Sequence, residues 1–380
     1  MTRIGLVTIC DYSNYGNRLQ NYAVQEVLKS LGCEVTTLVN VPPSSEQSSS
    51  TSHVDRLRIV LSMSKMDVLY KTINRLKAIA FRTSRSEVLQ RRISAFKSWT
   101  SEHIRETAFT LRQEDIPRGL TEQFDFFVVG SDQVWNPLFR NGFDVDFLSF
   151  APPYKRIAYA PSFGISEIPQ EYEKTYREWL SDIGYISVRE TSGASIIKSL
   201  TGRDAPVLID PTLMLTGEEW EKITTPAVKP DRDYMLTYFL GYTPSERRAF
   251  IRSIARKSKL EIVSLATLND PVRFVADPSE FLDYIQSASL ILTDSFHGTI
   301  FSILFNRPFV VFDRMSPGLH MSSRIETLLS LLRLEHRKFD RLQEHEIFEV
   351  DYSRVDGILE RERQKALVFL QNALRVRQKT

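Results

Sequence analysis

The chain has few cysteines and almost no excess charge of either sign. Its 380 residues include only two cysteines, Cys10 and Cys33, which predict neither a disulfide framework nor a paired-cysteine zinc site. The 49 basic residues nearly balance the 47 acidic ones, which argues against a protein built to coat nucleic acid. The six histidines are scattered, and no two of them stand at metal-ligand spacing, so we predict no metal site.

Long apolar segments are also absent. No run reaches the 18 or so apolar residues that a membrane span requires, so no transmembrane helix is predicted. The opening MTRIGLVTIC lacks the apolar core and small-residue cleavage site of a signal peptide. With so little cysteine, these absences predict a cytoplasmic protein in a reducing compartment.

Short β-prone runs alternate with helical patterns along the chain. Ile4–Ile9 is followed by a polar loop, a helical pattern that stops at Gly32, and a second strand at Glu34–Val39. Such alternation is typical of parallel sheets with helices on their faces. Further predicted strands are Phe124–Val129, Arg156–Ala160, Tyr185–Val188, Val207–Ile209, Tyr234–Leu240, Glu261–Leu265, Leu290–Thr293 and Phe309–Phe312.

The strand series divides near the Gly- and Pro-containing stretch 212–232. The predicted fold is therefore α/β, with two Rossmann-like doubly wound domains, 1–215 and 216–380, facing a cleft. A long helix over about 354–377 closes the second domain.

A basic helical insertion over about 54–103 follows a Pro/Ser-rich segment in the first domain. Residues 54–97 hold eleven Lys and Arg against three Asp and Glu, interleaved with apolar residues. The stretch would either lie on an anionic membrane or pack its apolar faces on the domain, and we favour packing because stable anchoring takes two signals.

The segment TDSFHGTIFS, residues 293–302, joins a predicted strand to a predicted helix. Ligands of open parallel sheets bind at the carboxyl ends of strands, and a helix N-terminus attracts anions. Gly298 would let a ligand approach the backbone, and His297 would donate a proton or carry charge near neutrality. The alternative is that Asp294 or Ser295 caps the helix and His297 is a satisfied core or surface residue.

Polar residues also crowd the loop after the first strand. Asn14, Asn17 and Asn21 surround Gly16, where they would contact a ligand or would merely cap the following helix.

Three other predicted strand or helix ends carry candidate site residues. Asp132 would act as a general base or bind sugar hydroxyls, and Trp135 would stack on a sugar ring; alternatively, they are a helix cap and a core residue. Arg189 offers a fork for carboxylate or phosphate, unless it pairs with a nearby acid such as Glu190. Arg324 is a free cation near a helix start.

In order and spacing, several segments together resemble the polysaccharide pyruvyl transferase family. The resemblance runs from residue 14 to about 329. Its segments are NYGNRLQNYAVQEVLKSLG, VVGSDQVWNP, SFGIS, ISVRE, VLIDPTLML, TDSFHGTIFSILFNRPFVVF and SSRIETLL.

The resemblance implies a fold similar to GT-B glycosyltransferases. It also implies transfer of pyruvate from phosphoenolpyruvate, with no other cofactor, to a sugar of a surface polysaccharide, an exopolysaccharide or its precursor, where a cyclic ketal forms. The family's donor-binding Arg maps onto Arg189, and its Arg-x-His-Gly motif onto Ser295-Phe296-His297-Gly298. Because Ser295 stands at the Arg position, either Arg324, Arg314 or Arg18 supplies the missing charge, or the donor differs.

The predicted site therefore has a donor side in the second domain and an acceptor side in the first. His297 is the acid or the charge on the phosphate side, and Asp132 is the base for the acceptor hydroxyl. The donor-binding set is Arg189, Ser295, His297, Gly298 and Arg324. The acceptor-binding set is Asn14, Asn17, Asn21, Asp132 and Trp135.

The acceptor would be a sugar or a lipid-linked oligosaccharide, met in the bacterial cytoplasm with peripheral contact to the inner membrane face. Two other functions stay open: a GT-B-type glycosyltransferase that uses a nucleotide sugar, and a non-catalytic glycan-binding relative. The sequence leaves the oligomeric state open.

Overall fold

The computed structural model describes residues 1–43, 82–315 and 323–375. Most of the predicted Pro/Ser-rich segment and the first part of the predicted basic insertion lie outside these ranges.

The first half of the chain forms a six-stranded sheet in which every strand pair is parallel. Its order is β3-β2-β1-β4-β5-β6, which is the strand order of a Rossmann fold. The topological switch point lies between β1 and β4. The strands are β1 (Thr2–Val7), β2 (Cys33–Asn40), β3 (Glu106–Leu111), β4 (Phe126–Val129), β5 (Arg156–Ala158) and β6 (Tyr185–Ile186).

The second half forms a four-stranded parallel sheet in the order β10-β9-β7-β8. This order places a second switch point between β7 and β9, whose residues are all buried. The strands are β7 (Tyr234–Tyr238), β8 (Glu261–Ser264), β9 (Leu290–Thr293) and β10 (Phe309–Val311).

Helical crossovers connect the strands, as parallel strand pairing requires. The longer ones are α1 (Tyr15–Ser30), α2 (Arg82–His103), α5 (Gln170–Ser181), α6 (Thr191–Thr201), α8 (Ser245–Ser258), α10 (Pro278–Ser287), α11 (Phe296–Leu304), α12 (Ser323–Leu332) and α13 (Val355–Arg375). The short ones are α3 (Leu120–Gln123), α4 (Pro137–Arg140), α7 (Gly217–Glu221) and α9 (Pro271–Phe274).

The predicted α/β architecture with two Rossmann-like sheets is confirmed, and two strand predictions need correction. The edge strand β3 was not predicted, because its residues are mostly half-exposed and show no apolar run. Val207–Ile209 makes only an isolated bridge, between Val188 and Val207. The exact domain boundary stays a prediction.

Helix α2, the described part of the insertion, contacts helices and loops of both halves of the molecule. Arg92 donates to the carbonyl oxygen of Ser13 at 2.7 Å and to Tyr15 Oη at 3.0 Å, and it also donates to the carbonyl oxygen of Phe274. Trp99 Nε1 donates to Ser279 Oγ at 2.7 Å. The inward face of α2 therefore contacts both halves of the molecule, whereas the packing interpretation expected only apolar packing on the first domain.

The hydrophobic core is continuous between the two sheets. Leu6 of β1 and Leu236 of β7 belong to one cluster of buried residues. Tyr15 stacks on Phe281 of α10, with ring centroids 4.2 Å apart. Within the described ranges, no helix is both long and apolar enough to cross a membrane.

We expect Arg92→Met to destabilise the contact between the sheets while keeping the apolar stem of the side chain. The substitution removes several charge-assisted hydrogen bonds, whose contributions within one network are not additive, so the free energy of unfolding should fall by about 2–4 kcal/mol in denaturant titrations. The matched control is Arg91→Met, on the exposed side of the same helix. Equal stability of the two variants would contradict the bridging role.

Candidate active site

The two topological switch points face each other across one cavity. Its volume is about 370 Å³. Parallel sheets bind ligands at this position because the connecting loops diverge there. The first half of the chain contributes Ile9, Asp11, Asn14, Asn17, Asp132, Gln133, Phe139 and Arg140. The second half contributes Leu240, Ser295, Phe296, His297, Arg314 and Arg324.

Asp132 lies in the loop after β4 and is buried among donors and cations. Asn17 Nδ2 donates to its Oδ2, and Arg189 and Arg324 lie 3.4 and 3.8 Å from its Oδ1. Burial raises the pKa of Asp132, but the charges of Arg189, His297 and Arg324 outweigh burial and lower it below the ordinary value. Asp132 is therefore an ionised carboxylate, suited to orienting a hydroxyl and to stabilising positive charge.

Asp210, which follows the Val188–Val207 bridge, is the buried partner of Arg189. Its Oδ2 accepts from Arg189 Nη1 and, at 3.0 Å, from Ser131 Oγ. Its Oδ1 accepts from the amide and hydroxyl of Thr212. Burial raises the pKa of Asp210, yet Arg189, His297 and the hydrogen bonds hold it well below the ordinary range.

His297, in the first turn of α11, contacts residues from the other half of the molecule. Its Nε2 lies 3.8 Å from Asp210 Oδ1 and has no hydrogen-bond partner among the described residues. Its ring lies against Gly16 of α1, where an added Cβ would overlap Nδ1. The imidazole is thus held between α1 and a carboxylate while it lines the cavity.

Ser295 and Gly298 have structural roles that the sequence left open. Ser295 is the N-cap of α11, and its Oγ accepts from the Gly298 amide at 3.2 Å. A Cβ at Gly298 would lie 2.8 Å from Thr293 Oγ1. Gly298 is therefore needed for strand–helix packing, and its amide is engaged by Ser295, which differs from the expected ligand approach at that position.

Arg324 presents a buried cation to the cavity. It is 5% exposed, its Nε has no hydrogen-bond partner among described residues, and its guanidinium lies 5.6 Å from the centre of the Phe296 ring. Burial and repulsion from Arg189 lower the pKa of Arg324 to about 10, so it stays protonated at neutral pH. A buried, incompletely bonded guanidinium is suited to bind an anion.

Of the three arginines that could supply the charge missing at Ser295, two line the cavity and one does not. Arg18 is buried away from the cavity, paired with Glu106 at 2.8 Å. Arg314 lines the cavity and donates to the carbonyl oxygen of Asp294 at 3.3 Å. Arg324 and Arg314 are thus the two candidates that reach the site.

Besides Gly298, the structure places three predicted site residues away from the cavity. Trp135 is fully buried, donates to the carbonyl oxygen of Asp146 at 2.9 Å, and has no face open to a sugar. Asn21 is buried and accepts from Thr37 Oγ1 at 2.7 Å. Arg189 lies behind the cavity wall and pairs with two nearby acids, Asp132 and Asp210, as the ion-pair alternative allowed.

Asn14 and Asn17 do line the cavity. Asn14 also caps α1 by accepting from the Asn17 amide. The capping interpretation is therefore confirmed for Asn14, and its contact with a ligand stays a prediction.

Sequence reasoning missed Asp210 and Phe139. Asp210 lies in VLIDPTLML, where only the resemblance singled out the segment and no local pattern marked the carboxylate. Phe139 is 44% exposed and lines the cavity from α4, a helix too short to show periodicity. In the described ranges, no group of three or more His, Cys, Asp and Glu side chains could hold a metal ion.

Comparison with protein families gives one match. The family model described as polysaccharide pyruvyl transferase matches residues 14–316. Among curated proteins, none matches the chain significantly.

Solved structures show distant similarity over nearly the whole chain. UDP-GlcNAc 2-epimerase from Neisseria meningitidis, bound to UDP-GlcNAc, is 11% identical over 98% of this chain and 99% of that one, with a TM-score of 0.44. The ADP-heptose LPS heptosyltransferase II of E. coli is 12% identical over 96% and 99%, with a TM-score of 0.37. These TM-scores are too low to support an argument, so the fold assignment rests on the strand order of the two sheets.

We expect Gly16→Ala to displace the His297 ring without unfolding the chain. Alanine normally stabilises a helix by about 0.5–1 kcal/mol relative to glycine, but here its Cβ overlaps the imidazole. The NMR signals of the His297 imidazole can be identified by their absence from a His297→Asn variant. These signals should shift in Gly16→Ala. Gly357→Ala, in α13 with open space around it, is the matched control and should leave those signals unchanged. Unshifted signals in Gly16→Ala would contradict the contact.

We expect Asp210→Asn to weaken the fold at neutral pH and to flatten its acid sensitivity. A carboxyl whose pKa is lowered on folding stabilises the native state above its unfolded pKa of about 3.9, and that stability is lost as pH falls through the native pKa. Asparagine leaves Arg189 less compensated, so the free energy of unfolding at pH 7 should fall by about 3 kcal/mol.

Denaturant titrations between pH 7 and 3 would measure both the free energy of unfolding at neutral pH and its loss on acidification. The control is Asp204→Asn, whose carboxylate is 91% exposed beside Lys198. A pH profile of Asp210→Asn parallel to that of the unsubstituted chain would show that Asp210 is not the group responsible.

Proposed function

The chain belongs to the polysaccharide pyruvyl transferase family, and from this premise we propose that it transfers pyruvate from phosphoenolpyruvate to a sugar, closing a cyclic ketal on two hydroxyl groups. The observation that supports the proposal best is Arg324. Its buried guanidinium faces the cavity that His297 also lines, and within the described ranges its Nε has no hydrogen-bond partner.

Phosphoenolpyruvate would bind to the wall formed by Arg314, Arg324 and His297. The donor carries a carboxylate and a phosphate, and a guanidinium binds either group through two parallel hydrogen bonds. Arg324 would take the place of the cation that the family motif has at the position of Ser295. Arg189, paired behind this wall, would keep Asp132 and Asp210 ionised and in position, which makes it a positioning residue.

In the reaction, two hydroxyl protons are transferred. The carbon–oxygen bond to phosphate is replaced by two carbon–oxygen bonds to the sugar. The methylene carbon of phosphoenolpyruvate takes a proton and becomes a methyl group, while a sugar hydroxyl adds to the neighbouring carbon. A second hydroxyl then displaces the phosphate from that carbon. Of the two hydroxyl protons, one ends on the methyl group and the other leaves with inorganic phosphate.

His297 would donate the proton to the methylene carbon. The ionised carboxylate of Asp210, 3.8 Å from Nε2, attracts positive charge on the imidazole and fixes the ring. Asp132 would accept a hydrogen bond from the attacking hydroxyl and stabilise positive charge at the ketal carbon as phosphate leaves. Its lowered pKa makes it a weak base, so we assign this electrostatic role ahead of the general-base role expected from the sequence.

The acceptor would belong to a surface polysaccharide or exopolysaccharide, as a sugar or a lipid-linked oligosaccharide. Such a precursor would be met in the bacterial cytoplasm, at the inner face of the membrane. This part of the proposal rests on family membership alone.

We expect phosphoenolpyruvate to raise the melting temperature of the chain in a saturable way. A ligand that binds only the native state adds about 2.7 kcal/mol at 100 times its Kd. Arg324→Ala should weaken this binding by about tenfold or more, since the lost charge-assisted contact is worth roughly 1.5–3 kcal/mol. His297→Asn should still bind the donor but lose transfer to an acceptor mixture, measured as phosphate release.

Arg333→Ala, at an exposed position on the molecular surface, is the control and should behave like the unsubstituted chain. Stabilisation by a nucleotide sugar in place of phosphoenolpyruvate would favour a glycosyltransferase. Glycan binding without any donor binding would favour a non-catalytic relative.

A further inference from the structure

The two walls of the cavity differ in chemistry. The wall from the second half of the chain carries the cations Arg314 and Arg324. The wall from the first half carries amides, carboxylates and one aromatic ring: Asp11, Asn14, Asn17, Asp132, Gln133 and Phe139. A site divided in this way can hold an anionic ligand on one side and a hydroxyl-rich ligand on the other.

The one basic residue of the first wall is already neutralised. Arg140 donates to both carboxylate oxygens of Asp146, at 2.7 and 2.8 Å, and to Asn40 Oδ1 at 2.5 Å. All three side chains are buried. Among the described lining residues of this wall, no cation is therefore left to meet a negatively charged ligand, whereas Asp11 and Asp132 both place a carboxyl group there.

Phe139 is an exposed aromatic ring on a well-fixed support. Helix α4 begins at Pro137, where Asn136 Oδ1 accepts from the Leu138 amide, and it ends at Asn141 in a left-handed conformation. The ring is 44% exposed although it lines a polar cavity. Such a ring gains apolar contact when a ligand covers it, and ligand sites combine aromatic faces with a few placed polar groups.

We propose that this wall is the acceptor subsite and that it selects a neutral pyranose. Phe139 packs on the apolar C–H face of the sugar ring, taking the role that the sequence assigned to Trp135. Asp11, Asn14 and Gln133 bind its hydroxyls, and Asp132 holds the hydroxyl that attacks. The assignment of Asp132 rests on the proposed function; the sugar contacts of Phe139 do not.

Selection against uronic acids follows from charge. A carboxylate on the acceptor would lie near Asp11 and Asp132, while Arg314 and Arg324 would be engaged by the donor. Like charges brought together in a partly desolvated site repel strongly. A neutral hexose avoids this repulsion and offers hydroxyl donors to the carboxylates.

The test is direct binding of simple glycosides to the full chain. The probes are the methyl glycosides of galactose, glucose and mannose and of their three uronic acids. Binding of each probe is measured by saturation-transfer NMR, with and without phosphoenolpyruvate. The variants are Phe139→Ala, Phe139→Tyr, which keeps the ring, and Leu138→Ala. Leu138 is 49% exposed next to Phe139 but does not line the cavity, so it is the matched control.

At least one neutral glycoside should bind, and its uronic acid should bind more weakly by about tenfold or more. Phe139→Ala should weaken neutral-sugar binding by about tenfold, the loss expected when much of an aromatic contact face is removed. Phe139→Tyr and Leu138→Ala should bind as the unsubstituted chain does. Stabilisation by phosphoenolpyruvate should be the same in all four proteins.

Three results would overturn the subsite: no glycoside binding, equal binding of neutral and acidic sugars, or unchanged binding in Phe139→Ala. Neutral-sugar binding that depends on Phe139 without any effect of phosphoenolpyruvate would support the subsite and count against the proposed donor. The two proposals therefore fail in distinguishable ways.

Discussion

The buried pairing of Arg189 with Asp132 and Asp210 is the interaction on which the rest of the site depends. One guanidinium, almost without solvent access, lies between two carboxylates, of which one follows β4 and the other follows the Val188–Val207 bridge. Removing charges from water costs several kcal/mol per ion, and the pairing offsets that cost only while all three groups stay in place. Asp132 and Asp210 are therefore positioned by the sheet that holds Arg189.

The pairing also determines where free charge remains. Arg189 compensates negative charge behind the cavity wall, so the positive charge that faces the cavity comes from Arg314 and Arg324. Phe296 lies near both cations, with Arg189 4.4 Å and Arg324 5.6 Å from the centre of its ring. Asp132 Oδ1 is close to both guanidinium groups, at 3.4 and 3.8 Å, and so offsets their mutual repulsion.

The sequence was informative where a property depends on the local chain. Apolar runs and polar strand ends predicted the two parallel sheets, and the polar residues after β1, β4 and β9 do meet at one cavity. It was uninformative where a property depends on side-chain direction in space. Trp135 and Phe139 lie four residues apart in one segment, yet only the second reaches the cavity, and nothing local separates Arg18 from Arg324. Asp210 acquires its role only because the end of β6 brings Arg189 beside it.

The position of Gly16 has a consequence for movement. His297 belongs to the second half of the chain, but both surfaces that hold it, α1 at Gly16 and the carboxylate of Asp210, belong to the first. The orientation of the imidazole therefore depends on the separation of the two halves of the molecule. A displacement that widened the cleft would release the ring from its support and from its counter-charge at the same moment. A cleft opened in this way would leave the imidazole without the carboxylate beside it.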